Sequence, residues 1–134
     1  MKSYRALLAA LLAAGLAAAP VSGSAHHSFA MYDQAHPVIL RGAVKVFQWT
    51  NPHVILFVLA APAAGGPEET WALEITSPGN LTRIGWTRHS LKPGDKVEIE
   101  ASPLRDGQKG GALKKVTLLD SGQTLTANWL KPGG

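Results

Sequence analysis

Residues 96–101 alternate without exception, with Val97, Ile99 and Ala101 on one side and Lys96, Glu98 and Glu100 on the other. A period of two matches the pleat of a β-strand, whose successive side chains point to opposite faces. Alternating exposed charge on such a strand is a solvated face, so Glu98 and Glu100 are not read as an acid/base pair. Four other segments read as strands, each fenced by Gly, Pro, Asn or polar runs. Val38, Leu40, Gly42, Val44 and Val46 are expected on one face of the first, with Arg41 and Lys45 opposite. Gly42 sits mid-strand, where glycine marks a bulge or a sharp bend as a sheet curls. After Thr50, Asn51 and Pro52, residues 53–60 (HVILFVLA) are nearly all apolar, which predicts a strand covered on both faces.

Trp71, Leu73 and Ile75 alternate with Thr70, Ala72 and Glu74 in a third strand. Ser77 and Pro78 then give a helix start, a hydroxyl cap followed by proline at the first helical position. Leu81 and Ile84 are spaced for one face of that short helix, and Gly85 ends it. The 96–101 strand comes fourth. Residues 102–111 are a loop rich in Gly, Lys and Arg, and residues 112–120 are the fifth strand. Val116 and Leu118 are in phase there, but Leu113 and Leu119 are not, a mismatch that a bulge would repair. Residues 123–126 add a short final strand. Three strands, a helix and two more strands is the order of an OB-like barrel. The expected fold is all-β, a small five-stranded OB-like barrel with one short helix between strands 3 and 4.

The start of the chain has the layout of an export signal. Lys2 and Arg5 precede an Ala/Leu run over residues 6–19, too short to span a bilayer, and small residues follow up to Ala25. The expected organisation is a signal peptide over 1–25, an extended N-terminal arm over 26–37, the barrel over 38–126 and a flexible tail over 127–134. The expected location is the periplasm, with no membrane anchor after cleavage. Removing the leader takes Lys2 and Arg5 with it, leaving 11 basic against 9 acidic residues, a net +2 where the whole chain carries +4. That balance and export argue against nucleic acid as a partner, because single-strand binders need a basic groove with stacking aromatics. With no cysteine there is no disulfide framework, no thiolate zinc site and no lipid-anchored terminus.

Several stretches occur together in order: His26-His27-Ser28-Phe29-Ala30, Trp49-Thr50-Asn51-Pro52-His53, Trp71-Ala72-Leu73-Glu74 and Ser77-Pro78-Gly79-Asn80-Leu81. Gly85-Trp86, Gly94-Asp95-Lys96-Val97 and Pro103-Leu104-Arg105-Asp106-Gly107 complete the set. Over residues 26–125 the chain resembles an uncharacterised family of exported bacterial proteins, the domain of unknown function 6152. The resemblance implies export and a compact domain. It brings no catalytic residue with it.

The chemistry-bearing residues point to binding rather than catalysis, since no cysteine exists and no Ser/His/Asp spacing builds a nucleophile elbow. The chain is therefore read as a non-enzyme. Cleavage after Ala25 would join an α-amine and an imidazole at His26, beside His27. Cleavage after Ser24 would start the chain Ala25-His26-His27, with an amine, two backbone amides and an imidazole in a plane. Either register suits Cu(II), which favours nitrogen-rich square-planar ligation. His26, His27, His36 and His53 are the candidate metal ligands and Cu(II) the candidate ion.

OB barrels bind ligands between the loop joining strands 1 and 2 and the loop joining strands 4 and 5. That makes Trp49, Asn51, His53, Trp86, Arg105 and Lys109 the candidate ligand residues. Trp71 shares a face with Leu73 and Ile75 and is expected in the core. Glu74, an acid between apolar neighbours, is expected to pair with Arg83 or Arg88. The leading expectation is an accessory protein that binds a metal ion or small ligand. The competing one is a protein–protein adaptor in the periplasm with no small ligand.

Overall fold

A computed structural model of the chain describes residues 27–127. The expected signal peptide, His26 and residues 128–134 of the expected tail lie outside the described residues. The elements in order are α1 (His27–Ala30), β1 (Val38–Gln48), β2 (Ile55–Pro62), β3 (Glu69–Glu74), α2 (Pro78–Arg83), β4 (Lys96–Pro103), β5 (Gly110–Leu118) and β6 (Thr124–Thr126). Antiparallel pairing runs β3-β2-β1-β4-β5, and a parallel pairing of β3 with β5 shuts the ring. This is a closed five-stranded barrel with the OB strand order and a short helix between the third and fourth strands. No helix among the described residues is long and apolar enough to cross a membrane.

Closure depends on how β5 divides one edge. Gly110, Gly111 and Ala112 pair with Ala72, Leu73 and Glu74 of β3, while Lys115, Val116 and Thr117 pair with β6. Between them the register against β4 slips, so that Ala101 faces Leu113 but Glu100 faces Lys115. Lys114 is the extra residue of this bulge, and it lets both Leu113 and Val116 turn inward. The irregular alternation in the sequence is thus repaired by a bulge. Leu119 lies past the end of β5 and is exposed. Ala127, assigned from sequence to a flexible tail, is buried, and its N–H donates to the Lys114 carbonyl at 3.0 Å.

A second bulge corrects the reading of β1. Val44 faces Val58 and Val46 faces Phe57, which leaves Lys45 unmatched. Beyond it the faces exchange: Val46 turns to solvent and Phe47 turns inward, its ring 5.7 Å from Trp49 and 6.1 Å from Trp86. Gly42 is required for a different reason from the bend expected of it. A Cβ there would sit 2.0 Å from the Leu59 carbonyl oxygen and 2.6 Å from the Ala60 Cα. Only a bare backbone fits so close to β2.

The core comes from the inward face of every strand. Leu40, Leu56, Leu73, Ile75, Ile99 and Leu113 have no exposed surface, and each such side chain contributes roughly 1.5–3 kcal/mol relative to exposure. β2 is covered on one face only, contrary to the expectation from its composition. Leu56, Val58 and Ala60 are buried, while Ile55 and Phe57 are half-buried and Leu59 is exposed.

Helix α2 is fixed at both ends by its own sequence. The Ser77 hydroxyl accepts the Asn80 N–H at 3.3 Å, and Pro78 occupies the first turn. At the exit Gly85 takes φ +93°, its N–H donates to Thr82 and the Trp86 N–H donates back to Leu81. This paired closure is a Schellman motif, and the Trp86 and Leu81 side chains at its two ends are both buried. Ile84 does not share the buried face with Leu81 as its spacing predicted. It is the C-cap, has left the helical register and is exposed. Trp86 takes the inward place.

Candidate functional site

Three segments distant in sequence meet on the outer face of the barrel at Glu74. The last residue of β3, Glu74 points outward because its neighbours Leu73 and Ile75 point in. Two backbone bonds draw the loop between β1 and β2 against it: Val54 N–H to the Thr76 carbonyl at 3.1 Å and Ile75 N–H to the Val54 carbonyl at 2.8 Å. They set His53 beside Glu74, and the imidazole Nδ1 meets Oε1. The other carboxylate oxygen, Oε2, accepts the hydroxyl of Tyr32 at 2.5 Å. One carboxylate therefore holds an imidazole and a phenol at once.

Tyr32 reaches this point because its segment is docked, not extended. Residues 27–30 form the single turn α1, and Tyr32 makes a bridge to Leu104 in the loop between β4 and β5. Asp33 N–H donates to Pro103, Arg105 N–H donates to the Met31 carbonyl, and Arg105 Nε donates to the Ala30 carbonyl at 3.1 Å. Tyr32 is buried as a result. Burial, followed by the hydrogen bond to Glu74 and its negative charge, pushes the phenol above the ordinary tyrosine range.

The sequence-predicted candidates take up separate tasks. Arg105 clasps the arm through Ala30 and stands 3.9 Å from Asp33. Lys109 pairs with Glu69 at 3.2 Å and lies 5.3 Å over the ring of Trp71. Trp71 is in the core as expected, and its indole N–H has no partner among the described residues. Trp49 is half-buried against Phe47. Asn51 is exposed in the loop and precedes a cis peptide bond to Pro52.

Trp86 is almost fully buried and gives its N–H to the Thr126 carbonyl at 3.0 Å, so it is a core residue and offers no ligand surface. The loop between β1 and β2 and the loop between β4 and β5 do face one region. What lies between them is Tyr32 of the chain's own arm.

Of the metal candidates, His26 and the side chain of His27 lie outside the described residues. His36 is exposed and pairs with Asp33 at 3.0 Å, which holds the Asp33 carboxyl below its usual range. His53 is the histidine on Glu74. Among the described residues no three His, Asp or Glu side chains converge as a metal cluster. Glu74 does not pair with Arg83 or Arg88 as expected. Arg83 donates instead to Asn80 within α2.

Sequence reasoning missed Tyr32. Its one signal was a phenol in a polar stretch, since a tyrosine of this kind keeps a polar partner when buried. The partner stands 42 positions away, and no spacing reveals it.

No curated protein and no solved structure matches the chain. A family of unknown function (DUF6152) matches residues 12–114, more than half of the sequence. By that match the chain belongs to this family.

Proposed function

We propose that the protein is an exported, non-enzymatic accessory domain that binds a transition-metal ion of the Cu(II) type on the outer face of its barrel, with His53 as an anchoring ligand. The observation that carries this reading is the chain of contacts from Tyr32 through Glu74 to His53. A ligating histidine characteristically gives its second ring nitrogen to a carboxylate, which fixes the tautomer and raises the basicity of the metal-bound nitrogen. Nδ1 of His53 is turned to Glu74, which directs Nε2 away from the carboxylate as the lone-pair donor. Tyr32 in turn fixes Glu74 and ties the arm down. His26, the amine released by cleavage and His27 supply the further nitrogen donors that Cu(II) prefers.

Calorimetry with Cu(II) on the protein beginning at His26 tests the reading. Near-stoichiometric binding is expected, with affinity about 10- to 100-fold weaker in Glu74→Gln, the range for loss of a partner behind a ligand. His53→Ala should weaken binding further. Unchanged affinity in His53→Ala removes His53 from the site and the proposal with it.

A further inference from the structure

A second feature, away from Glu74, lies where the connection between α2 and β4 crosses β1. Gly94 N–H donates to the Val44 carbonyl and Val44 N–H donates to Asp95, each at 2.9 Å, so this connection is stitched to β1 one residue before the Lys45 bulge. The bulge then throws Lys45 and Val46 outward beside it. The result is a hollow of about 380 Å³ with Val46 and Phe47 as an apolar floor and Lys45, Arg88, His89 and Lys92 around it. His89 and Lys92 also line an adjoining hollow of about 320 Å³, which continues past Lys96 to Ser121 and Gln123.

The charge along this path is one-sided. Lys45, Arg88, Lys92 and Lys96 face two carboxylates, Asp95 and Asp120. Asp95 is occupied by the turn itself, since its Oδ2 accepts the Lys92 N–H at 2.9 Å and its Oδ1 lies 3.7 Å from Lys92 Nζ. Arg88 and Lys96 have no carboxylate partner among the described residues.

We infer that this groove binds an acidic, extended peptide segment of a partner protein, with an apolar side chain over Val46 and Phe47 and carboxylates against Lys45, Arg88 and Lys92. Three features select that occupant. The hollows adjoin through His89 and Lys92 and open to solvent, which suits an extended chain better than a compact small molecule, whose sites are enclosed. The apolar floor with a cationic rim matches a peptide that alternates acidic and apolar residues. Phe47 and His89 are the aromatic rings lining the hollows, and the Phe47 ring is packed between Trp49 and Trp86. Successive bases of a single-stranded nucleic acid would find no row of aromatic rings to stack on.

The test is a titration of the ¹⁵N-labelled protein with three probes at low salt. They are an acetylated and amidated peptide alternating Glu with Leu and Phe, the same peptide with Lys for every Glu, and a short oligothymidylate. The acidic peptide is expected to shift the amides of Val46, Arg88, His89 and Lys92, with affinity that falls as salt rises. Reversing the rim in Arg88→Glu/Lys92→Glu should weaken binding by about tenfold or more, as loss of complementary rim charge does. Lys115→Glu, on the face of β5 beside Glu100, should leave it unchanged. The neutral pair Arg88→Gln/Lys92→Gln reads the same loss if charge reversal unsettles the fold. Absence of shifts with the acidic peptide, equal shifts with the lysine peptide, or tighter binding of the oligothymidylate overturns the inference.

Discussion

The hydroxyl of Tyr32 donates to Oε2 of Glu74 at 2.5 Å, which joins the arm ahead of β1 to the last residue of β3. The contact makes the arm part of the fold. It lies between the loop joining β1 to β2 and the loop joining β4 to β5, so the chain's own arm covers this part of the barrel.

Burial of the phenol, then its hydrogen bond to Glu74 and the negative charge of that carboxylate, hold the Tyr32 folded-state pKa above its ordinary value. A group whose folded pKa is raised stabilises the fold fully below the unfolded pKa, near 10 for tyrosine, and that contribution disappears as pH rises through the folded value. The chain has two tyrosines, Tyr4 and Tyr32, so a protein beginning at His26 reports on Tyr32 alone. Phenolate absorbance should stay low in the native protein at a pH where the urea-unfolded chain has already ionised. Tyr32→Phe should abolish that signal and flatten the alkaline loss of stability. A native Tyr32 that titrates at the ordinary value would show that the hydroxyl is not docked.

Gly42 is a point of close approach between β1 and β2. The Cβ of an alanine would stand 2.0 Å from the Leu59 carbonyl oxygen, and both strands are held there by pairing on either side. Overpacking of this kind costs about 1–3 kcal/mol, and backbone on both sides puts Gly42→Ala at the upper end of that range. Urea unfolding of the variant measures it. A change below about 0.5 kcal/mol, the level of an ordinary surface substitution, would mean that the strands separate freely.

Glu100 bridges the Lys114 bulge, with Oε1 2.9 Å from Lys114 Nζ and Oε2 3.6 Å from Lys115 Nζ. The hydrogen bond from Lys114, aided by the charge of both lysines, holds its carboxyl below the usual range. The sign is that of a depressed acid: its stabilisation is present above the unfolded pKa, near 4.3, and is lost as pH falls through the folded value. Glu100→Gln should therefore lower stability at neutral pH by less than about 1 kcal/mol, as expected for a partly exposed pair. At pH 2 the variant and the parent protein should be equally stable. A constant difference across the whole range would show that Glu100 acts through packing.

Local chemistry accounts for most of what was legible beforehand. The alternation in β4, the Ser77 cap and the Gly85 exit each follow from a few neighbouring residues, and the strand order follows from them. Two errors in facing lie in β1 and β2. Lys45 is a bulge against β2, just past Ala43 where the pairing of β1 with β4 ends, and no single segment displays that register. The outer face of β2 is apolar yet partly open, and composition alone does not separate such a face from a covered one. His53 and Glu74 each stood out in the sequence, but their pairing rests on backbone bonds between Val54 and the end of β3. Spacing points Ile84 inward, while the Schellman closure ends the helix one residue before it and sends Trp86 in instead.

Metal binding by the barrel requires that the imidazole beside Glu74 be a ligand. Pulsed electron paramagnetic resonance of Cu(II) on the protein beginning at His26 reads directly which imidazoles coordinate. The prediction is a remote-nitrogen imidazole coupling that diminishes in His53→Ala and changes in strength in Glu74→Gln. A spectrum identical in the parent protein and in His53→Ala would place any bound copper on the arm alone, and the barrel would have no part in holding it.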